Sequence, residues 1–452
     1  MAANSLGWIG IVRLGLVQTA LGAIVVLTTS TLNRVMVVEL ALPALVPGLL
    51  VALHYLVQVL RPRLGYGSDV GGRRTPWIVG GMAILAIGGF LAAVATAWMK
   101  THPVAGIALA VAAFTLIGIG VGAAGTSLLV LLAKRVEARK RAAAATIVWI
   151  MMIAGFAVTA GIAGQLLDPF SPARLVAVMS AVSVAAFMLA LLAVRNVEGH
   201  AENSSLGASQ EGSAAKPSFR EALSEVWSEG VARRFTIFVF VSMLAYSAQD
   251  LILEPFAGTV FGFTPGESTK LSGIQHTGVL AGMLVVAILG SVVGGPRIGS
   301  MRTWIVGGCI ASAAALISLS MAAFTGPSWP LRASVFALGI ANGAFAVAAI
   351  GAMMSLAGSG RGAREGVRMG LWGAAQAIAF GLGGIVGTAA SDLTRYLFGS
   401  AAPAYATVFG AEAILFLVAA GLAMRAVEPQ RAHALRSIPV AIDPHAANMS
   451  GR

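Results

Sequence analysis

Arg74-Thr75-Pro76-Trp77-Ile78-Val79-Gly80-Gly81 and Arg302-Thr303-Trp304-Ile305-Val306-Gly307-Gly308 are two versions of one segment, set about half the chain apart. Each opens a long apolar run directly after a basic, glycine-rich turn. Self-similarity at a fixed offset marks repeated structural units, and in so apolar a chain of 452 residues it indicates a duplicated helical bundle in a membrane. The duplication extends further. Trp149, Gly161 and Gly164 recur at a constant offset as Trp372, Gly384 and Gly387, with Asp168 and Asp392 close behind.

The composition is 58% hydrophobic and 11% charged, with a mean hydropathy of +0.86. That is more apolar surface than one soluble core can bury. Runs long enough for a ~30 Å hydrocarbon layer, about 20 residues each, fall at 14–36, 42–62, 77–98, 104–132, 144–166, 174–195, 235–260, 270–293, 303–325, 332–356, 367–390 and 403–425. None shows the alternation of a barrel strand, and backbone in lipid must satisfy its own hydrogen bonds, so the spans are helices. The sequence predicts an all-α membrane protein of twelve transmembrane helices in two six-helix repeats. Its divisions are an N-terminal half (1–195), a linker (196–234), a C-terminal half (235–425) and a tail (426–452) whose composition predicts disorder. Residues 219–227 of the linker could lie on the membrane as an amphipathic helix. The apolar start is followed at once by further spans, so it reads as a first helix and not a cleaved signal peptide.

The formal net charge is +12, and its placement points to membrane topology rather than nucleic acid. Only Arg34, Lys100, Arg174, Lys270, Arg332 and Arg395 fall on one side of the bundle; the remaining Lys and Arg lie on the side of the termini and even-numbered loops. The positive-inside rule then puts both termini in the cytoplasm. The basic clusters at 134–141 and 361–368 read first as topology determinants attracted to anionic lipid. A single cysteine, Cys309, excludes a disulfide framework or a thiolate metal cage. The sequence carries no phosphate-cradling loop, dinucleotide fingerprint, metal-spaced histidines or nucleophile triad, so it does not read as an enzyme.

Ionisable groups inside spans cost about 2.5–3.5 kcal/mol near mid-bilayer and therefore face a cavity or a partner. On the first helix Gln18, Gly22, Thr29 and Asn33 share a face, with Arg34 beside it. On the seventh, Ser242, Tyr246, Gln249, Asp250 and Glu254 do the same. Arg34 is expected to pair with Glu254 or Asp250, either as a structural tie between the halves or as part of a binding site. Pro255 is expected to kink or break its helix. His54 and His276 lie well inside spans, where each can pack or ligate. Glu412 on the last span can pair locally or meet a membrane partner.

Gly65-Tyr66-Gly67-Ser68-Asp69-Val70-Gly71-Gly72-Arg73-Arg74 resembles the loop motif of the major facilitator superfamily, with Gly65, Asp69, Gly72, Arg73 and Arg74 in the characteristic places and Val70 where an arginine is usual. The second copy, at 294–302, lacks the aspartate. Asn33-Arg34-Val35-Met36-Val37-Val38-Glu39-Leu40, Arg61-Pro62, Arg73-Arg74-Thr75-Pro76-Trp77 and Gln249-Asp250-Leu251-Ile252-Leu253-Glu254-Pro255-Phe256 resemble the PucC/LhaA group of purple phototrophic bacteria, a branch of that superfamily. The resemblance implies a major facilitator fold in the inner or intracytoplasmic photosynthetic membrane, and a role in assembling light-harvesting antenna complexes. It implies antenna polypeptides, membrane lipid and pigment-synthesis enzymes as partners, and bacteriochlorophyll as a ligand that His54 or His276 could hold by its magnesium. Two other readings stay open: an ion-coupled transporter using Asp250 or Glu254, and a bacteriochlorophyll carrier. Small-residue faces at Gly118, Gly120 and Gly122, and at Gly381, Gly383, Gly384 and Gly387, suit either lateral docking of a partner helix or internal packing.

Overall fold

The computed structural model describes residues 6–58, 74–137, 140–197, 224, 227–292, 300–359 and 365–427. The expected loop residues Gly65, Asp69, Gly72 and Arg73, most of the linker and nearly all of the tail fall outside them. Among the described residues the long elements are all helices: α1 Trp8–Glu39, α2 Leu45–Val57, α3 Thr75–Met99, α4 Pro103–Arg135, α5 Arg141–Leu166, α6 Pro172–Val194, α7 Gly230–Phe261, α8 Pro265–Val292, α9 Met301–Thr325, α10 Leu331–Ser359, α11 Glu365–Phe398 and α12 Ala401–Ala426. Eleven are long and apolar enough to cross a membrane; α2 is a shorter apolar helix, and residues 59–62 of its expected span lie outside the described set.

Local chemistry sets the boundaries. Proline occupies the first turn of α3, α4 and α6, where its missing N–H costs nothing. Ser171 caps α6 by accepting from the Arg174 amide. Gly262 and Gly399, at φ 72° and 66°, end α7 and α11 in the left-handed conformation that glycine adopts without strain.

The duplication is visible in the packing. In the first half α1 lies against α5 and α6, α3 against α4 and α6, and α2 against α4. Adding six to each label gives the packing of the second half: α7 on α11 and α12, α9 on α10 and α12, α8 on α10. The halves meet through α5 with α8 and, as its symmetry mate, α11 with α2. Each half has its own apolar core, one around Leu14, Ile24, Phe114 and Leu128, the other around Phe256, Phe345, Phe409 and Phe416. A small cluster of Ile153, Val279 and Met283 bridges α5 and α8.

Gly118, Gly120, Gly383, Gly384 and Gly387 serve this internal packing. A Cβ on Gly118 would lie 2.7 Å from the His54 carbonyl oxygen, one on Gly120 2.6 Å from the Leu85 amide, and one on Gly383 2.6 Å from the Leu244 carbonyl oxygen. Gly384 and Gly387 likewise face Leu251 and Ala248 of α7. These helices approach backbone to backbone within the protein. Cys309 is buried and free.

Candidate functional site

The polar residues of α1 converge where it crosses α7 and α8. Two π-helical stretches, Leu27–Thr31 and Val35–Glu39, interrupt α1 and flank the short α-helical turn Leu32–Arg34. Such bulges rotate the helix phase and occur often at functional sites. Here they turn Thr28, Ser30, Thr31, Asn33 and Arg34 inward, all of them buried. Ser30 and Ser272 share a hydrogen bond of 3.2 Å, and Thr31 and Thr269 one of 3.0 Å, so a hydroxyl ladder joins α1 to α8.

Arg34 is 2% exposed and fully engaged. Its Nη1 donates to Glu39 Oε1 at 2.5 Å, its Nε to Ser268 Oγ at 3.0 Å and its Nη2 to the Phe263 carbonyl at 2.6 Å. The guanidinium lies against Gly258, where a Cβ would come within 3.0 Å of Nη2. The expected pairing with Glu254 or Asp250 is therefore corrected: the ion pair is with Glu39, five residues on. In a regular α-helix those two side chains would diverge, but the π stretch, whose bonds span five residues, brings them together. Glu254 still feels the Arg34 charge and has Ser30 and Ser272 beside it. It is 1% exposed, and neither carboxylate oxygen makes a hydrogen bond.

Pro255 does not break α7, which runs continuously from Gly230 to Phe261. Proline removes the N–H that would have bonded the Leu251 carbonyl. Asn33 Nδ2 supplies the missing donor, at 2.6 Å, from the opposite half of the protein. Neighbouring helices commonly re-satisfy backbone groups that a proline frees in a membrane span. Asn33→Ala is therefore expected to destabilise the protein by about 1–3 kcal/mol, the cost of a buried acceptor left unpaired. Pro255→Ala in the same chain should recover most of that loss, because it restores the backbone donor. Thermal unfolding of the four combinations checks this; additive losses would refute it.

Asp250 accepts from Gln275 Nε2 at 3.2 Å, while Gln249 is fully buried with no hydrogen bond on either amide atom. Glu412 of α12 is also buried, with both oxygens unbonded, and lies close enough to Asp250 for their charges to interact. His276 stands one turn from the hydroxyl ladder. Its Nδ1 contacts the Ser272 carbonyl at 2.8 Å, and its ring meets Phe156 of α5 edge-on at 5.0 Å. A carbonyl only accepts, so the proton sits on Nδ1 and Nε2 carries the lone pair. His54 lies apart on α2, its Nε2 3.0 Å from Gln58 Nε2 and its ring against Tyr55. Of the expected loop residues only Arg74 is described, buried at the start of α3.

Asn33, Arg34 and Glu254 are thus brought together, with Asp250 and His276 on the same helices and His54 elsewhere. Sequence reasoning missed Ser268, Thr269, Ser272 and Gln275. Their spacing of four, then three along α8 was a readable polar stripe. The result is a polar centre between the halves that offers a carboxylate, hydroxyls and an imidazole nitrogen as acceptors or ligands.

Comparison with known proteins fits this architecture. The family described as PUCC protein matches residues 31–431. The chain is 55% identical over 419 residues to the bacteriochlorophyll synthase 44.5 kDa chain of Rhodobacter capsulatus, spanning 93% of this chain and 95% of that one. It is 31% identical to Protein PucC of Rhodobacter capsulatus, over 92% and 91% of the two chains. Among solved structures it resembles a D-xylose-proton symporter, with a TM-score of 0.71 at 15% identity over 93% of this chain and 98% of that one. It also resembles a bacterial homolog of the human lysosomal transporter Spinster in an inward-facing, unoccupied conformation, at 0.65 and 16% over 92% and 96%. At these identities the likeness establishes the fold, that of the major facilitator transporters.

Proposed function

The chain belongs to the PUCC protein family, and on that footing we propose that it is an assembly factor for a bacterial light-harvesting antenna, binding antenna polypeptides and bacteriochlorophyll within the membrane. The observation that carries the reading is near-full-length similarity to relatives from a purple bacterium, one of them named for bacteriochlorophyll. The absence of catalytic motifs from the sequence supports a holding role toward the pigment rather than a synthetic one. In this reading the protein lies in the inner or intracytoplasmic membrane with its basic face and both termini in the cytoplasm, near the enzymes that make the pigment.

The magnesium of a chlorin takes one axial ligand, and a neutral imidazole nitrogen suits it. His276 meets that requirement, because the Nδ1–H bond to the Ser272 carbonyl fixes the ring and leaves the unprotonated Nε2 with its lone pair to ligate, the arrangement that orients ligating histidines generally. His54 fits less well, because its Nε2 already faces the Gln58 amide.

Affinity purification from pigmented membranes is expected to bring down antenna polypeptides together with bacteriochlorophyll, and His276→Ala should lose most of the pigment while His54→Ala keeps it. Equal pigment in both variants would remove the ligand assignment. Pigment without polypeptides would make the protein a carrier. Neither, together with solute uptake in vesicles, would make it a transporter. That second reading has its own support in the fold likeness to a proton symporter and in the buried Glu254 and half-buried Asp250 at the polar centre between the halves.

A further inference from the structure

Asp168 and Asp392 hold equivalent places in the two halves, at the end of the bundle away from the termini. Asp392, near the end of α11, accepts from the Ala44 amide through Oδ1 at 2.9 Å and from the Leu45 amide through Oδ2 at 2.8 Å. Those are donors at the N-terminus of α2. Asp168, just after α5, accepts from the Gly266 amide at 3.2 Å and from the Thr264 hydroxyl at 2.9 Å. Those belong to the N-terminus of α8. Since α2 and α8 are repeat mates, as are α5 and α11, each carboxylate crosses from its own half onto the same feature of the other.

The physical basis is strong on both sides. A helix N-terminus presents N–H groups without partners and a partial positive charge, so a carboxylate there makes charge-assisted bonds. Both seats also depend on glycine. A Cβ on Gly266 would strike the Asp168 carboxylate, and one on Gly164 would lie 2.7 Å from the Gly266 carbonyl oxygen. On the symmetry-related side a Cβ on Gly48 would strike the Thr388 side chain, one turn before Asp392. The two seats differ in one respect. Asp392 binds two backbone amides, whereas Asp168 binds one amide and the hydroxyl of Thr264, a residue itself bracketed by Glu267 in a reciprocal cap.

We propose that Asp168 and Asp392 form a paired latch holding the halves together at this end, so that the seam where α1 meets α7 and α8, closed in this structure, opens into a groove there only when both carboxylates release. The Ser30–Ser272, Thr31–Thr269 and Arg34–Ser268 bonds lie on the groove side of the latch and depend on its closure. The latch does not rest on the identity of the cargo. It acts in the same way whether the groove receives a pigment, a solute or a partner helix.

Cys309→Ala removes the only native thiol, and Ser30→Cys then reports on the groove. In sealed vesicles, a membrane-impermeant maleimide added on the side of the α1–α2 loop should label Ser30→Cys slowly. Adding Asp168→Asn with Asp392→Asn should raise the rate at least about tenfold, the factor given by about 1.4 kcal/mol of lost closure. Asp392→Asn alone should act more strongly than Asp168→Asn alone. An unchanged rate in a double variant that elutes as a single species overturns the proposal. A second measurement covers a double variant that fails to fold. Ser30→Cys with Ser272→Cys puts two thiols in place of hydroxyls 3.2 Å apart, and their oxidation to a disulfide should be slower in Asp392→Asn than in the parent. Equal rates overturn the latch by that route as well.

Discussion

Replacing Gly282 and Gly343 together by valine is expected to leave almost no folded protein in the membrane. Helices α8 and α10 cross with their backbones in contact. A Cβ on Gly282 would strike the Ile340 carbonyl, one on Gly343 the Val279 carbonyl, one on Gly339 the Gln275 carbonyl and one on Gly278 the Phe336 carbonyl. Gly278 and Gly339 also face each other, each Cβ position lying 3.0–3.1 Å from the other's Cα. Every obstacle is main chain, so no rotamer change makes room and the helices must separate. Overpacking with adaptable neighbours already costs about 1–3 kcal/mol per site. Two sites without that relief should remove several kcal/mol from a total stability of about 5–15 kcal/mol. Separation would also carry Ser268, Ser272, Gln275 and His276 away from α1, so any surviving protein should lack the polar centre. Fluorescence-detected size exclusion of solubilised membranes measures the loss. Gly307→Val is the matched control, because nothing lies within 4 Å of that Cβ position, and it should be tolerated. A monodisperse double variant at parental abundance would show that the crossing is looser than described.

The half-chain repeat made the architecture legible because duplication dictates packing: once α1 is matched to α7, every major contact within one half predicts its counterpart in the other. Asn33, Arg34 and Glu254 were identifiable for an energetic reason, since polar groups in lipid need partners. Which partners they take was not legible. A π stretch leaves no clear mark in a run such as Val35-Met36-Val37-Val38, so nothing in the sequence singled out Glu39 as the partner of Arg34. Pro255 looked like a helix break because the local rule could not include Asn33, the donor that repairs it from the other half. The recurrence of Asp168 and Asp392 was visible, but their seats are helix N-termini supplied by tertiary structure. The glycine faces were visible too, and composition alone cannot tell a face that packs inward from one that meets a partner.

Arg34→Ala is expected to cost at least about 3 kcal/mol, since a hydrogen bond to a charged group is worth about 1.5–3 kcal/mol and the guanidinium makes three. The loss exceeds one ion pair, since the guanidinium also serves Ser268 and the Phe263 carbonyl and lies near the unbonded carboxylate of Glu254. Arg34→Lys should recover only part of it, because one ammonium cannot reproduce a planar fork that reaches three acceptors on two elements. Glu39→Gln should cost far less: Glu39 is 35% exposed, and Arg34 keeps its other bonds. Glu254→Gln should be neutral or stabilising, since it keeps the shape and takes away a buried ionisable group whose oxygens make no hydrogen bond. The decisive variant exchanges the two residues, Arg34→Glu with Glu254→Arg. Were they a simple pair, the exchange would restore stability. The structure instead places the new glutamate beside Glu39 and the Phe263 carbonyl, neither of which can donate to it, so the exchanged protein should unfold no later than Arg34→Ala alone. Thermal unfolding in detergent distinguishes these outcomes, and full recovery by the exchange would mean that Arg34 works against Glu254 and not through the π-turn pair with Glu39.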